Sequence, residues 1–211
     1  MTYRRTDLPQ SVISRLTRYL AHIQALCLQR VKWISSQDIA DTLGLTSSTV
    51  RQDLSYLDFS GVSKRGYETC GLEKVLAEVL GADVPWKMVV VGAGNLGKAL
   101  ALHEEFSRRG FTIIGIFDAD VKKIGKKVGN LTVLNTREIP SVVAGEKVDI
   151  GVIAVPASAA QAVADMLIMS GVKGLLNLAL THIVAPRHVP VIDSRVVSSL
   201  LELSHTIKFG R

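Results

Sequence analysis

The sequence WKMVVVGAGNLGKAL, from Trp86 to Leu100, passes from an apolar run through three glycines to good helix formers. This order predicts a buried strand, a tight turn and a helix. Gly92 would allow the turn, Gly94 would let the backbone approach a pyrophosphate, and Gly97 would let the helix pack on its strand. The amino end of the helix would offer free N–H donors to an anion. The segment therefore predicts a Rossmann dinucleotide-binding domain.

An acidic residue follows at the position that the adenosine ribose of a dinucleotide requires. Asp118 closes the next apolar run, which begins at Phe111, and lies about 20 residues beyond Gly97. A carboxylate there accepts hydrogen bonds from ribose hydroxyls and repels the extra phosphate of NADP(H). The pattern predicts NAD(H) binding, and a glycine-rich structural turn is the alternative. The predicted contacts in this half of the site are Gly92, Ala93, Gly94, Asn95, Leu96, Gly97 and Asp118.

Three further runs rich in Val and Ile, at 148–155, 174–178 and 189–193, predict the remaining strands of a parallel, doubly wound α/β sheet. Ligands bind beyond the carboxyl ends of such strands. Val155, Pro156 and Asn177 lie at these ends, so we expect them to form the wall near the nicotinamide. For Pro156, a simple strand terminator is an equal alternative.

The first 80 residues have the pattern of helices joined by short polar segments. The spacing of apolar residues predicts a first helix over Ser11–Leu28. A serine cap at Ser35 begins a second helix that ends at Gly44, and a third capped helix follows over Thr46–Leu57. The order helix, tight turn, helix is typical of a helix-turn-helix unit.

The outward face of the third helix has the chemistry of a major-groove reader. Arginine can hold guanine through two donors, glutamine can pair with adenine, and serine hydroxyls can hold phosphates. A solvated face of a small helical bundle is the alternative. The predicted DNA contacts on this helix are Ser47, Ser48, Arg51, Gln52 and Ser55.

The segment after this helix favours DNA binding over a neutral bundle. Gly61 and Gly66 permit a hairpin that carries Lys64 and Arg65 at its tip. Such a wing would place both cations on the phosphate backbone or in the minor groove. We therefore predict a winged helix-turn-helix domain that binds double-stranded DNA.

The predicted domains are a DNA-binding domain over 1–80, a linker over 81–85, a Rossmann domain over 86–193 and a carboxy-terminal helix over 194–211. The nucleotide fold uses nearly all of the second part, which leaves no substrate domain and no paired acid and base, so we expect no enzyme and no catalytic residue. The combination predicts a sensor. The alternatives are a regulator that senses another nucleotide or a coenzyme A derivative, and a small NAD-dependent oxidoreductase.

The last predicted helix carries an apolar stripe that could pack on its own domain or form a dimer contact. We favour a homodimer, because reading a palindromic operator requires two copies related by a twofold axis. The net charge of +6 permits an anionic partner without identifying one. Cys27 and Cys70 lack metal-ligand spacing, so we expect no metal site or disulfide. A polar amino terminus and the lack of a long apolar run predict a cytoplasmic protein without a membrane segment.

Several stretches, in this order, resemble the Rex family of redox-sensing transcriptional repressors over essentially the whole chain. They are SRLTRYL (Ser14–Leu20), VRQDLSYL (Val50–Leu57), VVVGAGNLGKAL (Val89–Leu100), RGFTIIGIFDAD (Arg109–Asp120), AVPASAAQAVAD (Ala154–Asp165) and GVKGLLNLA (Gly171–Ala179). The resemblance implies a winged-helix domain, a Rossmann domain and a homodimer whose carboxy-terminal helix swaps onto the partner. It also implies repression of genes of fermentative or anaerobic energy metabolism, with NADH releasing DNA and NAD+ permitting DNA binding.

The family pattern near the nicotinamide is retained at Asp193, which the resemblance therefore assigns to the site. The chain differs from the family at three positions in that region. His103 stands where the family tends to have tyrosine, Ala21 where some members have an arginine on the first helix, and Ser194 where an aromatic residue often follows the aspartate. The wing segment matches the family's glycine-rich pattern only approximately. We expect these differences to affect how the chain distinguishes NADH from NAD+.

Overall fold

The computed structural model describes residues 8–210. The chain forms two compact units, and the boundary between them lies between Val84 and Pro85. Within residues 8–210, no helix has both the length and the apolar character needed to cross a membrane. The predicted fold class, a winged helix-turn-helix domain followed by a Rossmann domain with a carboxy-terminal helix, is confirmed.

The amino-terminal unit is a helical bundle with one small antiparallel sheet. Its elements are α1 (Gln10–Leu28), β1 (Trp33–Ile34), α2 (Ser36–Leu43), α3 (Ser47–Leu54), β2 (Tyr67–Glu68) and α4 (Thr69–Leu80). The apolar face of α1 buries Leu16, Tyr19 and Ile23 in a core shared with Val50 of α3 and Leu72 of α4. This core fixes the face of α3 that remains in solvent.

The turn between α2 and α3 follows the sequence signals. Ser35 and Asp38 form a reciprocal capping box at the start of α2, and Gly44 ends this helix in the left-handed conformation, with φ of 67°. The side chain of Thr46 then caps α3 by accepting a hydrogen bond from the Thr49 amide. These caps define where the second helix of the motif begins.

Helix α3 ends at Leu54, so the predicted extension to Leu57 is wrong. The Tyr56 amide donates to the Asp53 carbonyl and the Leu57 amide to the Leu54 carbonyl, which is the i to i−3 pattern of a tightened turn. Leu57 still packs into the core. Its apolar side chain therefore continued the helical pattern beyond the end of the regular helix.

The predicted hairpin between Gly61 and Gly66 is a compact turn instead of two paired strands. A single bridge joins Val62 and Gly66, and β2 pairs antiparallel with the distant β1. Gly66 has φ of 87°, and a side chain there would collide with the Ile34 carbonyl of β1. The glycine therefore permits close packing of the turn on β1.

The carboxy-terminal unit is a seven-stranded sheet in the order β5-β6-β4-β3-β7-β8-β9, in which only the β5–β6 pair is antiparallel. Its strands are β3 (Trp86–Val91), β4 (Phe111–Asp118), β5 (Lys127–Val128), β6 (Leu131–Asn135), β7 (Ile150–Ile153), β8 (Gly174–Asn177) and β9 (Val191–Asp193). Its helices are α5 (Asn95–Ala101), α6 (Glu104–Arg108), α7 (Ile139–Glu146), α8 (Ala157–Met169) and α9 (Val196–Phe209), with a 3-10 turn at Thr136–Glu138. The strand order reverses between β3 and β7: from β3 the chain adds β4 and β6 on one side, and then β7, β8 and β9 on the other. Doubly wound sheets bind ligands at such a switch point.

Strands β5 and β6 were missing from the sequence prediction, and β7 is shorter than predicted. The predicted start at Val148 is wrong because its amide closes the turn after α7, donating to the Val143 carbonyl. The predicted end at Val155 is wrong as well, since the strand stops at Ile153, ahead of Pro156. A residue before proline is restricted in conformation, and proline itself has no N–H for a ladder.

One face of the sheet carries an apolar groove of about 600 Å³ beside β3, β7 and β8, whose lining includes Met88, Val152 and Leu176. Helix α9, in contrast, buries none of its side chains within the part of the chain that the structure describes. Its apolar residues, including Leu200, Leu201 and Ile207, are exposed. Both an apolar groove and an apolar helix thus face solvent in this unit.

Candidate ligand and DNA sites

The glycine-rich loop joins β3 to α5 in a conformation suited to an anion. Gly92 has φ of 110°, and a Cβ there would collide with the Ala154 carbonyl. A Cβ on Gly97 would collide with the Gly92 carbonyl, whereas the space around Gly94 is open to 4 Å. The first and third glycines therefore permit close packing, and the second leaves room for a phosphate. The sequence pattern predicted these roles for the three glycines, and the packing of the loop is consistent with them.

Asp118 lies at the carboxyl end of β4, beside this loop, and only 9% of the residue is exposed. Its Oδ2 accepts from the Ala93 amide at 2.8 Å, and its Oδ1 from the Asp120 amide at 2.9 Å. Burial opposes ionisation, but hydrogen bonds from Lys123, Asp120 and Ala93 outweigh it and lower the pKa of Asp118 below its usual value. Asp118 is therefore an anion at neutral pH.

Lys123 is a site residue that sequence reasoning missed. Its Nζ donates to Asp118 Oδ2 at 2.9 Å, and this contact raises the pKa of Lys123. The loop after β4 turns back through Asp120, whose carbonyl accepts from the Lys123 amide. The only sequence signal was a lysine five residues after Asp118, the residue predicted to bind the ribose. Lys123 partly neutralises the carboxylate that was predicted to reject a 2′-phosphate.

The segment from β7 to α8 lies next to the glycine-rich loop. The side chain of Val155 would be within 3.1 Å of a Cβ placed on Gly92, so the two segments are in close contact. Pro156 is exposed and occupies the N-cap position of α8, where its carbonyl accepts from the Ala159 amide. The structure thus brings Val155 to the predicted cleft and gives Pro156 a defined place at the start of a helix. Asn95 and Leu96, in the first turn of α5, are exposed beside the same loop.

Asn177 is fully buried at the end of β8, and its amide group is already bonded. Its Nδ2 donates to the Thr181 carbonyl and to Asp193 Oδ1, each at 2.8 Å, while its Oδ1 accepts from the Ala179 amide at 3.0 Å. All of its strong hydrogen-bonding groups therefore have partners in the protein. Asn177 positions Asp193, which is itself partly exposed at the end of β9.

Arg195 is a second residue that the sequence prediction missed in this unit. The Nη2 atom of Arg195 donates to Asp193 Oδ2 at 2.9 Å and to the Thr181 carbonyl at 3.0 Å. Among the described residues, its Nε is a buried side-chain donor without a hydrogen-bond partner. Arg195 stands two residues after Asp193, in a segment that the periodicity assigned to a helix start, so its sequence context gave no functional signal.

The predicted recognition face of α3 lies in solvent. Ser48, Arg51, Gln52 and Ser55 are exposed, and Ser47 is partly exposed. Arg51 Nη1 donates to Ser36 Oγ at 3.3 Å, which ties its guanidinium to the first turn of α2. The two side chains with base-reading chemistry, arginine and glutamine, are adjacent on the accessible surface.

A carboxylate on the buried side of helix α3, which sequence reasoning did not single out, holds this helix in place. Asp53 is buried and accepts two hydrogen bonds from Arg15 of α1, at 2.6 and 2.7 Å. Tyr19 donates a third at 2.6 Å, and burial is the largest cause that raises the pKa of this phenol. The bidentate contact restricts both the position and the rotation of α3.

The wing cations occupy the accessible turn after α3. Lys64 and Arg65 are exposed, and Lys64 has φ of 62° at the turn. The guanidinium of Arg65 lies over the Trp33 ring, 5.8 Å from its centroid. Arg65 is therefore held against β1, whereas Lys64 extends from the turn.

The three positions at which we expect the chain to differ from the family pattern, Ala21, His103 and Ser194, are all exposed. Ala21 lies on the outer face of α1. His103 precedes α6, and its ring contacts Phe106 with 5.4 Å between the ring centroids.

The fold and the two sites define a two-domain protein in which a helix-turn-helix module precedes a Rossmann nucleotide-binding module. Two family models match, described as "Putative DNA-binding protein N-terminus" over residues 7–55 and "CoA binding domain" over residues 83–181. A redox-sensing transcriptional repressor Rex from Carboxydothermus hydrogenoformans is 42% identical over 201 residues, which cover 95% of this chain and 97% of the relative. The chain therefore belongs to the Rex family.

Solved structures agree with this assignment. RSP, a Rex-family repressor, was crystallised in complex with NAD+ and operator DNA, and in complex with NADH. The DNA complex matches with a TM-score of 0.91 at 32% identity and covers 96% of this chain and 94% of RSP. The NADH complex matches with a TM-score of 0.88 at the same identity, over 96% of this chain and 95% of RSP. The family predicted from the sequence is thus confirmed.

Proposed function

We propose that this protein is a transcriptional repressor that binds operator DNA and senses the balance of NADH and NAD+, with NADH binding to the Rossmann domain releasing the DNA. The observation that carries this proposal is the similarity, over 96% of the chain, to a Rex-family repressor crystallised with NAD+ and operator DNA. The open glycine loop beside an ionised aspartate, and the exposed recognition face of α3, support both halves of the proposal. A repressor acts where the chromosome is, so we place it in the cytoplasm.

The glycine-rich loop and Asp118 would hold the adenosine half of the dinucleotide. The backbone around Gly94 would bind the pyrophosphate, and Asp118 would accept hydrogen bonds from the ribose hydroxyls in place of the Ala93 and Lys123 donors. Ala93, Asn95 and Leu96 complete this half. Val155 and Pro156 would contact the other half, together with Asp193, whose orientation Asn177 fixes.

The recognition helix would supply specificity and the wing would supply affinity. Arg51 and Gln52 would read base edges in the major groove, since both side chains are exposed on α3. Ser47, Ser48 and Ser55 would bind phosphates near the helix, as serine hydroxyls commonly do. Lys64 and Arg65 would contact the backbone or the minor groove, where positive charge is favoured by the high density of phosphates.

A homodimer would join the two exposed apolar surfaces of the carboxy-terminal unit. Helix α9 carries Leu200, Leu201 and Ile207 in solvent, and the groove beside β3, β7 and β8 is lined mainly by apolar side chains. Exposed apolar surfaces of this kind mark interaction sites. We propose that α9 of each copy binds its partner and that the dimer reads a palindromic operator.

A regulator of the same fold that senses a coenzyme A derivative is the second candidate. The description of the matching family model, a CoA binding domain over residues 83–181, favours it. Lys123 beside Asp118 also offers a cation close to the ribose, where coenzyme A carries a phosphate. Against it, Asp118 is an anion in the same position and repels that phosphate. Ligand competition separates the two candidates.

The experiment is a fluorescence anisotropy titration of the protein on a palindromic operator at fixed salt, with NADH, NAD+, NADPH or coenzyme A added. We expect NADH to weaken DNA binding by about 5- to 150-fold, the range of typical allosteric coupling, and the other ligands to do so less. By linkage, DNA must weaken NADH binding by the same factor. Release by coenzyme A alone would favour the second candidate, and steady NADH consumption with a metabolite would indicate an enzyme.

A further inference from the structure

The amino-terminal unit brings the two cysteines of the chain together, although they lie far apart in the sequence. Cys27 is in the last turn of α1, and Cys70 is in the first turn of α4. We propose that this thiol pair is a reversible oxidation site, at which a peroxide converts the two thiols into a disulfide between α1 and α4. The inference is independent of the proposed function, because it concerns only the thiols of this unit.

The start of α4 is fixed to the segment that follows α1 by two hydrogen bonds from Thr69. Its amide donates to the Lys32 carbonyl at 3.1 Å, and its hydroxyl donates to the Val31 carbonyl. Thr69 is fully buried, so solvent does not compete for these bonds. Ile23 of α1 and Leu72 of α4 belong to the same apolar core. The helix ends that carry the two cysteines are therefore held together in the folded unit.

The two thiols are neighbours but differ in their environment. The Cys27 thiol is in hydrogen-bonding contact with the Cys70 thiol and with the Glu73 carboxylate. Cys27 is half-buried, and burial, followed by these two contacts, raises its pKa to about 12. Cys70 is free and exposed to solvent. Because oxidation follows access and thiolate character, Cys70 is the first site of attack and Cys27 is the thiol that resolves the intermediate.

The chemistry balances with a peroxide as the oxidant. In the first step the Cys70 sulfur attacks hydrogen peroxide, the O–O bond breaks, and a sulfenic acid and water form. In the second step the Cys27 sulfur attacks the Cys70 sulfur, the S–O bond breaks, and the hydroxyl leaves as water with the Cys27 proton. The pair of sulfurs has then lost two electrons to the peroxide. A dithiol reductant restores both thiols by exchange.

The disulfide closes a loop that contains every predicted DNA contact of the chain. Helices α2 and α3, and the turn with Lys64 and Arg65, all lie between Cys27 and Cys70. Closing a loop restricts the unfolded chain and so stabilises the folded unit. In a reducing compartment such a bond is transient and forms in response to an oxidant. The pair therefore protects the helix-turn-helix unit against unfolding while a peroxide is present.

The test treats the reduced full-length protein with hydrogen peroxide in the presence of a metal chelator and then blocks the remaining thiols. Peptide mass spectrometry without reduction identifies linked cysteines, and dimedone traps sulfenic acid. Hydrogen exchange measured by mass spectrometry reports the local stability of α3 within the whole chain. The variants Cys27→Ser and Cys70→Ser each keep one thiol and serve as matched controls, and circular dichroism before oxidation checks that each is folded.

We expect wild type to lose both thiols, to form one link between Cys27 and Cys70 within a single chain, and to regain both thiols with dithiothreitol. Exchange in α3 should slow by about 10-fold or more in the oxidised protein. Cys27→Ser should accumulate sulfenic acid at Cys70, Cys70→Ser should keep Cys27 reduced, and neither should gain protection. Two free thiols in folded, peroxide-treated wild type, or links only between separate chains, would overturn the inference and leave the proposed function untouched. Sulfenic acid at Cys27 in Cys70→Ser would contradict the assigned order of attack.

Discussion

At the residue scale, Asp118, the carboxylate proposed to bind the ribose, already accepts hydrogen bonds from the protein itself. Asp118 accepts hydrogen bonds from Lys123, Ala93 and Asp120, and these contacts keep it ionised despite its burial. A ribose bound by Asp118 as proposed would therefore displace hydrogen-bond donors of the protein as well as water. Such prearranged charge reduces the cost of ordering the site on binding, because the acceptor is held in place.

Replacing Asp118 with alanine should weaken NADH binding by about 10- to 150-fold, since hydrogen bonds to a charged group are worth about 1.5 to 3 kcal/mol. NADPH should lose much less, because Lys123 would remain as a cation for its additional phosphate. Lys123→Met should have the opposite effect and strengthen the rejection of NADPH. Calorimetric titration of both nucleotides measures these changes.

A matched control for these variants is Asp165→Asn, which changes an exposed aspartate on α8. It should leave both affinities within error of wild type. If Asp118→Ala bound NADH with unchanged affinity, the proposed contact between Asp118 and the ribose would be wrong. Equal losses of NADH and NADPH would show that Lys123 does not bind the phosphate.

At the element scale, α3 depends on one buried carboxylate for its placement. The Asp53 contacts with Arg15 and Tyr19 join α3 to α1, so they set the orientation of the recognition face. Arg15 retains 27% of its side-chain exposure, which reduces the strength of the pair relative to a fully buried one. A carboxylate without its partners would still be costly to bury.

Arg15→Met should lower the free energy of unfolding by about 1 to 3 kcal/mol, because it leaves the buried Asp53 carboxylate with one donor. DNA affinity should fall as well, since α3 loses its bidentate support, while NADH affinity should remain at the wild-type value. Tyr19→Phe is the milder comparison and should cost about 1 kcal/mol. Chemical denaturation and operator titration measure the two effects. If the Arg15→Met protein were less stable but kept full DNA affinity, the contact would stabilise the fold without positioning α3 for DNA.

The recognition helix and the wing should differ in how they depend on sequence and salt. Arg51→Ala should cost about 1 to 3 kcal/mol on the operator and relax the preference at one base pair. Lys64→Ala should weaken all sequences similarly and reduce the salt slope by about one. Titration of operator and scrambled duplexes over a range of salt concentrations distinguishes them. A uniform loss on all sequences in Arg51→Ala would contradict the major-groove assignment.

The elements show which features the sequence could predict and which it could not. Local signals were sufficient for α2, whose capping box and terminal Gly44 lie within ten residues of each other, and for the glycine loop after β3. The pairing of β1 with β2 was missed because each has two residues and their partners are more than thirty positions apart. Lys123 and Arg195 were missed for a related reason. Their roles depend on where a loop returns, and loop paths leave no periodic pattern in the sequence.

At the scale of the whole molecule, the carboxy-terminal unit leaves two apolar surfaces unsatisfied. In a doubly wound sheet both faces are normally covered, yet a groove of about 600 Å³ remains open beside β3, β7 and β8. The exposed apolar residues of α9, with Ile207 75% exposed, would provide the complementary surface in the proposed dimer. The sequence predicted an apolar stripe on this helix, but periodicity alone does not distinguish packing on its own sheet from packing on a partner.

Leu200→Glu should weaken the proposed dimer, because burial of a leucine side chain contributes about 1.5 to 3 kcal/mol and a carboxylate in an apolar groove costs more. Sedimentation velocity should show a larger monomer fraction at micromolar concentration, and affinity for a palindromic operator should fall more than affinity for a single half-site. NADH binding should change little, since Leu200 is not among the site residues. Glu202→Gln, an exposed polar change on the same helix, is the control and should sediment like wild type. A Leu200→Glu protein that remained dimeric would place the dimer contact elsewhere than on α9.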